Sequence, residues 1–347
     1  MTQTGVVCGV DTHANVHTGA VLDLNGQVLG VTSFPATLDG YGDLFDWVTG
    51  FGSITIAGVE GTSSYGKGLT RFLHSHHVGV VEVIRPNRQT RRLNGKSDPV
   101  DAIAAARAVL SGEATAIPKT GDGPIEAVRA LHIARTSAIK AKTQAGNQIR
   151  DLITTGPTGL RERLHPLTTR QRVDVCRRLR ITQGHDIAEA GTRQALRTLA
   201  RRHVRLTAEI DELTQELDRL VKQVAPTLCA LNGVGPDVAA KLLIAAGDNP
   251  HRMRNDAAFA SLCGVSPIDA SSGKQRRHRL NRGGNRQANN ALWTVAMVRM
   301  SKDHRTQKYV QRRTKDGLTK QEIIRCLKRY IARETHTAIR KDLPNLT

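Results

Sequence analysis

GVVCGVDTHANVHTGAVLDLNGQVLGVTSF, residues 5–34, holds three apolar runs separated by two short polar segments. GVVCGV at 5–10 is a buried strand by its length and its β-branched content. HTGAVLDLNGQVLGVTSF at 17–34 folds back on itself, because Asn25-Gly26 is the dipeptide that most readily takes the positive φ angles of a hairpin turn. Outward from this core, SITIAGVE at 53–60 and VGVVEVI at 78–84 are further strands. LDGYGDLFDWVTGF at 38–51, SSYGKGLTRFLHSHH at 63–77 and SDPVDAIAAARAVLSG at 97–112 have apolar or alanine-rich helical spacing. Hairpin strands first and alternating strands and helices afterwards is the order of an α/β RNase H-like domain, expected over 1–118.

Beyond Pro118 the strand pattern stops, and GDGP at 121–124 leads into the basic helical stretch PIEAVRALHIARTSAIKAKTQAGNQIRDLI. Leu196, Leu199, His203, Leu206, Ile210, Leu213, Leu217, Leu220 and Val224 then recur in steps of three and four, a coiled-coil seam that Pro226 ends. Such a seam fits one arm of an internal helical hairpin or a homodimer equally well, and His203 within it reads as a register-setting polar residue. Residues 119–226 are thus expected to be a helical linker with a coiled coil, and 227–347 a second, all-α domain. LCALNGVGPDVAAKLLIAAG at 228–247 has the outline of a helix-hairpin-helix, which offers backbone N–H groups to a phosphate; a plain αα turn has the same outline.

The charge points to the partner. Against 31 acidic residues stand 51 Lys and Arg, a formal net charge of +20, which favours a polyanion, with nucleic acid foremost. No apolar run is long enough to span a bilayer, and no basic amphipathic stretch is rich in Trp or Phe, so a membrane partner is not expected. Cys8, Cys176, Cys229, Cys263 and Cys326 lack CxxC spacing, which argues against a zinc ribbon or a disulfide framework and fits a reducing cytoplasm. The N-terminus lacks the pattern of a secretory signal.

Four acids carry the chemistry. Asp11 and Glu60 each follow an apolar strand, so if those strands are neighbours the two carboxylates emerge together and repel unless a divalent cation lies between them. Asp98 and Asp101, three apart at a helix start, can lean toward the same cation. An all-oxygen set of this kind suits Mg²⁺ or Mn²⁺ in two-metal phosphodiester chemistry. Structural alternatives exist: Asp98 as an N-cap before Pro99 with Asp101 completing a capping box, and Asp11 as an Asx-turn residue.

GVDTHANVH at 9–17, GVEGTSSYG at 58–66 and GKSDPVDAIAAARAV at 95–109 resemble, in order and spacing, the three motifs of the DEDD transposases of the insertion-sequence family IS110, which implies a RuvC-like N-terminal domain. FASLCGVSPIDASSGKQRRHRLNRGGNRQANNALWTVAMVRM at 259–300 resembles that family's C-terminal transposase domain, in which a serine before glycine is the nucleophile. The resemblance implies Asp11, Glu60, Asp98, Asp101 and Ser272 as catalytic residues, Ser271 being the chemically equivalent neighbour. It further implies DNA as substrate, a structured guide RNA, an active form that is at least dimeric through the 196–224 helix, and a bacterial, nucleoid-associated setting. Lys274, Arg276, Arg277, Arg279, Arg282 and Arg286 would offset phosphate charge, and no acid interrupts them from Gly273 to Met300. A Holliday-junction nuclease, which needs the acids but not the serine, and a non-catalytic nucleic-acid-binding protein are the alternatives. KQEIIRCLKRYIARETHTAIRK at 320–341 reads as an amphipathic helix with Ile323, Ile324, Leu327, Tyr330 and Ile331 facing a core. Tyr309 and Tyr330 lie outside any RHR-type recombinase constellation.

Overall fold

The computed structural model describes residues 5–83, 97–180, 186–272, 278–279 and 281–343, which cluster into two compact units. The first comprises residues 1–126, 246–261 and 339–347, and the second 127–245 and 262–338.

The first unit is built on a five-stranded mixed sheet of β1 (Gly5–Thr12), β2 (Val16–Asp23), β3 (Val28–Pro35), β4 (Ser53–Glu60) and β5 (Val80–Val83), in the order β3-β2-β1-β4-β5. The pairs β1/β2 and β2/β3 are antiparallel, whereas β1/β4 and β4/β5 are parallel. This agrees with the expected mixed α/β domain and is consistent with an RNase H-like order. The β2–β3 turn falls at Asn25-Gly26 as expected; Gly26 has φ +89°, and the Asp23 side chain accepts the N–H groups of Asn25 and Gln27.

Alternation of side chains across the strands makes two cores. Val6, Cys8, Val10 and Val59 pack with Leu44 and Val48 of α1 (Leu38–Thr49) and Leu69 and Leu73 of α2 (Lys67–Ser75). On the other face Val7, Ala20, Leu22 and Val83 pack with Ala102, Ala105, Ala106 and Val109 of α3 (Asp98–Leu110). Residues 246–261 belong to this unit through polar ties: Asp248 accepts the N–H of Ile125 at 2.8 Å, and the Asn249 side chain donates to the carbonyl of Pro118 at 2.9 Å.

Among the described residues the second unit is helical apart from one small hairpin. It contains most of α4 (Pro124–Thr155), then α5 (Thr158–Leu164), α6 (Thr169–Cys176), α7 (Ile187–Val224), α8 (Pro226–Cys229) and most of α9 (Pro236–Ala246). After α10 (Asp256–Leu262), which lies almost wholly in the first unit, come β6 (Ile268–Asp269), β7 (His278–Arg279), α11 (Arg286–Lys302), α12 (His304–Lys315) and α13 (Lys320–Asp342). The heptad residues lie on α7, and each is buried or half-buried within the single chain. Leu196 packs with Ile149 and Ile153 of α4 and with Leu160 and Leu164 of α5. Further along, Arg135 Nε donates to Thr214 Oγ1 at 2.7 Å, and Gly146 of α4 faces the ring of His203. α4 of the same chain therefore lies against α7 at Leu196, His203 and Thr214, which fits the internal-hairpin alternative.

Candidate functional site

Strand register sets two of the acids side by side. β1 and β4 run parallel with Gly9 opposite Gly58 and Val10 opposite Val59, so Asp11 and Glu60 leave the sheet at one edge. Thr12 Oγ1 donates to the Glu60 carbonyl at 2.7 Å and pins the two strand ends together.

The glycine pair brings in the other two. A Cβ at Gly9 would lie 2.2 Å from both the Ala102 carbonyl oxygen and the Ala106 nitrogen; one at Gly58 would lie 2.8 Å from the Ala105 carbonyl oxygen. Only hydrogen atoms fit there, so the α3 backbone lies directly on β1 and β4. The first turn of α3 then carries Asp98 and Asp101 to the edge where Asp11 and Glu60 emerge.

Asp11 and Asp101 are buried, Glu60 is half-buried and Asp98 is exposed. Burial raises the Asp11 pKa above the ordinary carboxylate value, and the charges of Glu60, Asp101 and Asp98 raise it further, against an opposing contribution from His13. Glu60, Asp98 and Asp101 thus all bear on the charge of Asp11. The structural alternatives for Asp11 and Asp98 do not hold. Asp11 is a strand residue paired with Thr18, not part of an Asx turn. Asp98 is the first residue of α3, not its cap; the N-cap is Ser97, which makes no side-chain capping bond, and Pro99 is the second helical residue.

His13 joins the cluster unforeseen. Its Nε2 lies 3.3 Å from Asp11 Oδ2 and 3.4 Å from Asp98 Oδ1, and the ligand atoms of Asp11, His13 and Asp98 are all within 4.8 Å of one another. The available signal was its place two residues beyond Asp11, which on extended chain returns to the same side. His17, in the same motif, is a core residue: it is fully buried and stacks on Tyr41 at 5.6 Å. Clustered carboxylates with oxygen donors in the majority fit a hard divalent cation, and the imidazole fits Mn²⁺ better than Mg²⁺.

In the second unit β6 and β7 pair antiparallel, Ile268 with Arg279 and Asp269 with His278, forming the hairpin that carries the serines. Ser271 and Ser272 are exposed just beyond β6, and Asp269 Oδ1 accepts the Ser271 N–H at 2.9 Å, shaping the turn. Arg279, Arg282 and Arg286 are exposed, whereas Lys274, Arg276 and Arg277 lie outside the described residues. Arg286 opens α11, whose cap is Asn285, and so adds positive charge to the positive end of a helix dipole, an arrangement that an anion relieves.

On α13, Ile323, Leu327 and Ile331 are buried as expected, but Tyr330 is 52% exposed and is not a core residue. Its spacing fits the apolar stripe, but it stands at the stripe's edge, where its ring meets that of Tyr309 edge-on at 5.9 Å.

Comparison with known families gives two matches. A DEDD model of the IS110 type, described as Transposase, matches residues 8–156, which hold Asp11, Glu60, Asp98 and Asp101. A model described as Transposase IS116/IS110/IS902 family matches residues 225–311, which hold Ser272. No curated protein matches the chain. Two matches in this order, together spanning more than half of the sequence, make the chain a member of the IS110 family of DEDD transposases.

Proposed function

We propose that the protein is a site-specific DNA recombinase of an insertion sequence, with Asp11, Glu60, Asp98 and Asp101 holding Mg²⁺ or Mn²⁺ and Ser272 attacking the DNA phosphate. The observation that carries this reading is the convergence of the acids on Asp11 at one sheet edge, supported by the close fit of α3 on Gly9 and Gly58. A bound divalent cation would neutralise phosphate oxygens in a polar site. Asp11 and Asp101, being buried, fix the geometry; Glu60 and the exposed Asp98 close it from the solvent side, and His13 spans Asp11 and Asp98.

At Ser272 the Oγ–P bond forms as the bond from phosphorus to one deoxyribose oxygen breaks, and the hydroxyl proton ends on that oxygen. The phosphoserine keeps the ester linkage, so the reverse attack by a strand end rejoins DNA without an external energy source. Arg279, Arg282 and Arg286, with Lys274, Arg276 and Arg277, offset the charge that gathers on the phosphate. In keeping with the family, the DNA is selected with a structured guide RNA, and the acting species is at least a dimer in the bacterial cytoplasm.

The test is strand cleavage by the full chain on element-end DNA, with Glu60→Ala and Ser272→Ala. Each substitution is expected to lower cleavage by about 10³-fold or more while DNA binding persists, and Ser272→Ala abolishes the covalent protein–DNA adduct. A Ser272→Ala protein that still cuts is a nuclease acting through its acids alone. A Glu60→Ala protein with full activity removes the carboxylate site from the mechanism.

A further inference from the structure

Two cavities of the second unit, each of about 710 Å³, share one wall residue, the exposed Tyr330. The first is bounded by Gly264, Pro267, Arg279 and Asn281 on one side and by α13 on the other. The second runs from Leu231 and Asn232, in the turn before α9, along α12 to the same stretch of α13.

Both are basic. Arg279, Arg325, Lys328 and Arg329 line the first, and Arg299, Arg305, Lys308 and Arg312 the second. Their three acids are already engaged. Glu322 accepts the N–H and hydroxyl of Thr319, Asp303 those of Thr306, and Glu334 pairs with Arg299 at 2.6 Å. The walls therefore carry a net positive charge, which suits a polyanion.

Between the cavities stands an aromatic step. Tyr330 and Tyr309 meet edge-to-face at 5.9 Å and 85°, and the Arg312 guanidinium lies 5.6 Å from the Tyr309 ring centre. The first cavity is braced from behind: Asn289 Nδ2 donates to the carbonyls of Cys263 and Gly264, and the buried Lys328 donates to Asn289 Oδ1 at 2.9 Å. Cavities of this size take a nucleotide but not a duplex, whose bases stay stacked on one another, and an exposed aromatic ring between cationic walls has the composition of a single-strand stacking platform.

We propose that the two cavities form one track for an unpaired DNA strand, with a base stacked on Tyr330 and the flanking phosphates held by the arginines and lysines on either side. DNA, not RNA, is chosen because Pro267 and Arg279 of the first cavity adjoin the hairpin that carries Ser272; that choice rests on the reading of Ser272 as the nucleophile.

The experiment is fluorescence anisotropy with the full chain carrying Ser272→Ala, so that binding is read apart from cleavage. The probes are labelled oligothymidylate of about 20 nucleotides, oligouridylate of the same length, and a DNA duplex. Tyr330→Ala is expected to weaken oligothymidylate binding by about 10-fold, within the roughly 5- to 150-fold range of one lost stacking contact. Tyr330→Phe should restore it, and duplex affinity should change by less than about twofold in either variant. Arg325→Ala and Arg312→Ala, both exposed and so harmless to the core, should each lower the salt dependence of single-strand binding by about 0.7 in log–log slope. Unchanged oligothymidylate binding in Tyr330→Ala and in both arginine variants overturns the track. So does an equal loss on duplex, and a loss confined to oligouridylate makes it an RNA site. None of these outcomes bears on Ser272, whose role is read from cleavage by the parent chain.

Discussion

Asp11 in the first unit and Asp237 in the second each stand at the centre of a charge cluster, and the two clusters are opposite in sign and in consequence. Around Asp11 are three further acids and one imidazole; burial and like charge push its pKa up. Around Asp237 are His132, Arg135 and Lys241, with Arg135 Nη1 at 3.0 Å and Lys241 Nζ at 2.6 Å, and His132 Nε2 at 3.5 Å, the edge of hydrogen-bonding range. The close approach of His132, then the bond and charge of Lys241 and the charge of Arg135, hold the Asp237 carboxyl well below the usual range despite some burial. Asp237 ties α9 to α4 and is satisfied by its own chain. Asp11, buried and crowded by acids, is the position whose charge a bound cation would relieve.

The largest expected effect comes from removing what enforces the crowding at Asp11. Gly9→Val places side-chain atoms where the α3 backbone already lies, 2.2 Å from a new Cβ, and the helix cannot remain on the sheet. The expected loss is above about 4 kcal/mol, enough to unfold the first unit, measured by denaturant unfolding followed by circular dichroism. Gly42→Ala within α1 is the matched control: nothing lies within 4 Å of its Cβ, and the exchange should stabilise by about 0.5–1 kcal/mol. If Gly9→Val folds as the parent does, the glycine pair is not what brings Asp98 and Asp101 to Asp11.

Next in size is Asp237→Ala, which leaves Arg135, Lys241 and the largely buried His132 facing one another. With the Asp237 side chain 39% exposed, solvent screening limits the expected loss to about 1–2 kcal/mol. The pH dependence follows from the lowered pKa. The contribution of Asp237 is fully present above the unfolded carboxylate value near pH 4 and is lost as pH falls below it. The stability difference between parent and variant should therefore shrink on acidification below about pH 4.

Much of the first of these regions was legible and little of the second, for a physical reason. β1, the Asn25-Gly26 hairpin, β4 and α3 follow from local periodicity and turn chemistry, and an acid that ends a strand is placed by sheet register alone. Local pattern likewise gave the α7 seam, but not what covers it, since an internal arm and a dimer arm share one heptad code. His13 was missed because its partner Asp98 lies 85 residues away, and the return of residues 246–261 to the first unit depends on Asp248 and Asn249 meeting Ile125 and Pro118. Tyr330 was misassigned to the core because its spacing fits an apolar stripe, whereas its position on α13 faces a basic cavity. Contacts distant in sequence leave no periodic trace.

The sharpest test of the comparison is also the smallest in magnitude, because it predicts a gain. Asp11→Asn keeps shape and volume and removes the charge that burial and three neighbouring acids oppose. With its pKa raised on folding, the native state binds more protons than the unfolded chain between the unfolded value near pH 4 and the higher folded value. Stability falls as pH rises through that window, and above it the penalty is carried in full. The variant should therefore be more stable than the parent at pH 7, by about 1 kcal/mol, and the difference should vanish below about pH 4. Added Mn²⁺ should raise the melting temperature of the parent, since a ligand that binds only the folded state stabilises it by mass action, and should do so much less for the variant. A variant less stable than the parent at pH 7 would place Asp11 in the same class as Asp237, a carboxylate satisfied by its own chain, and the case for a cation there would fall with it.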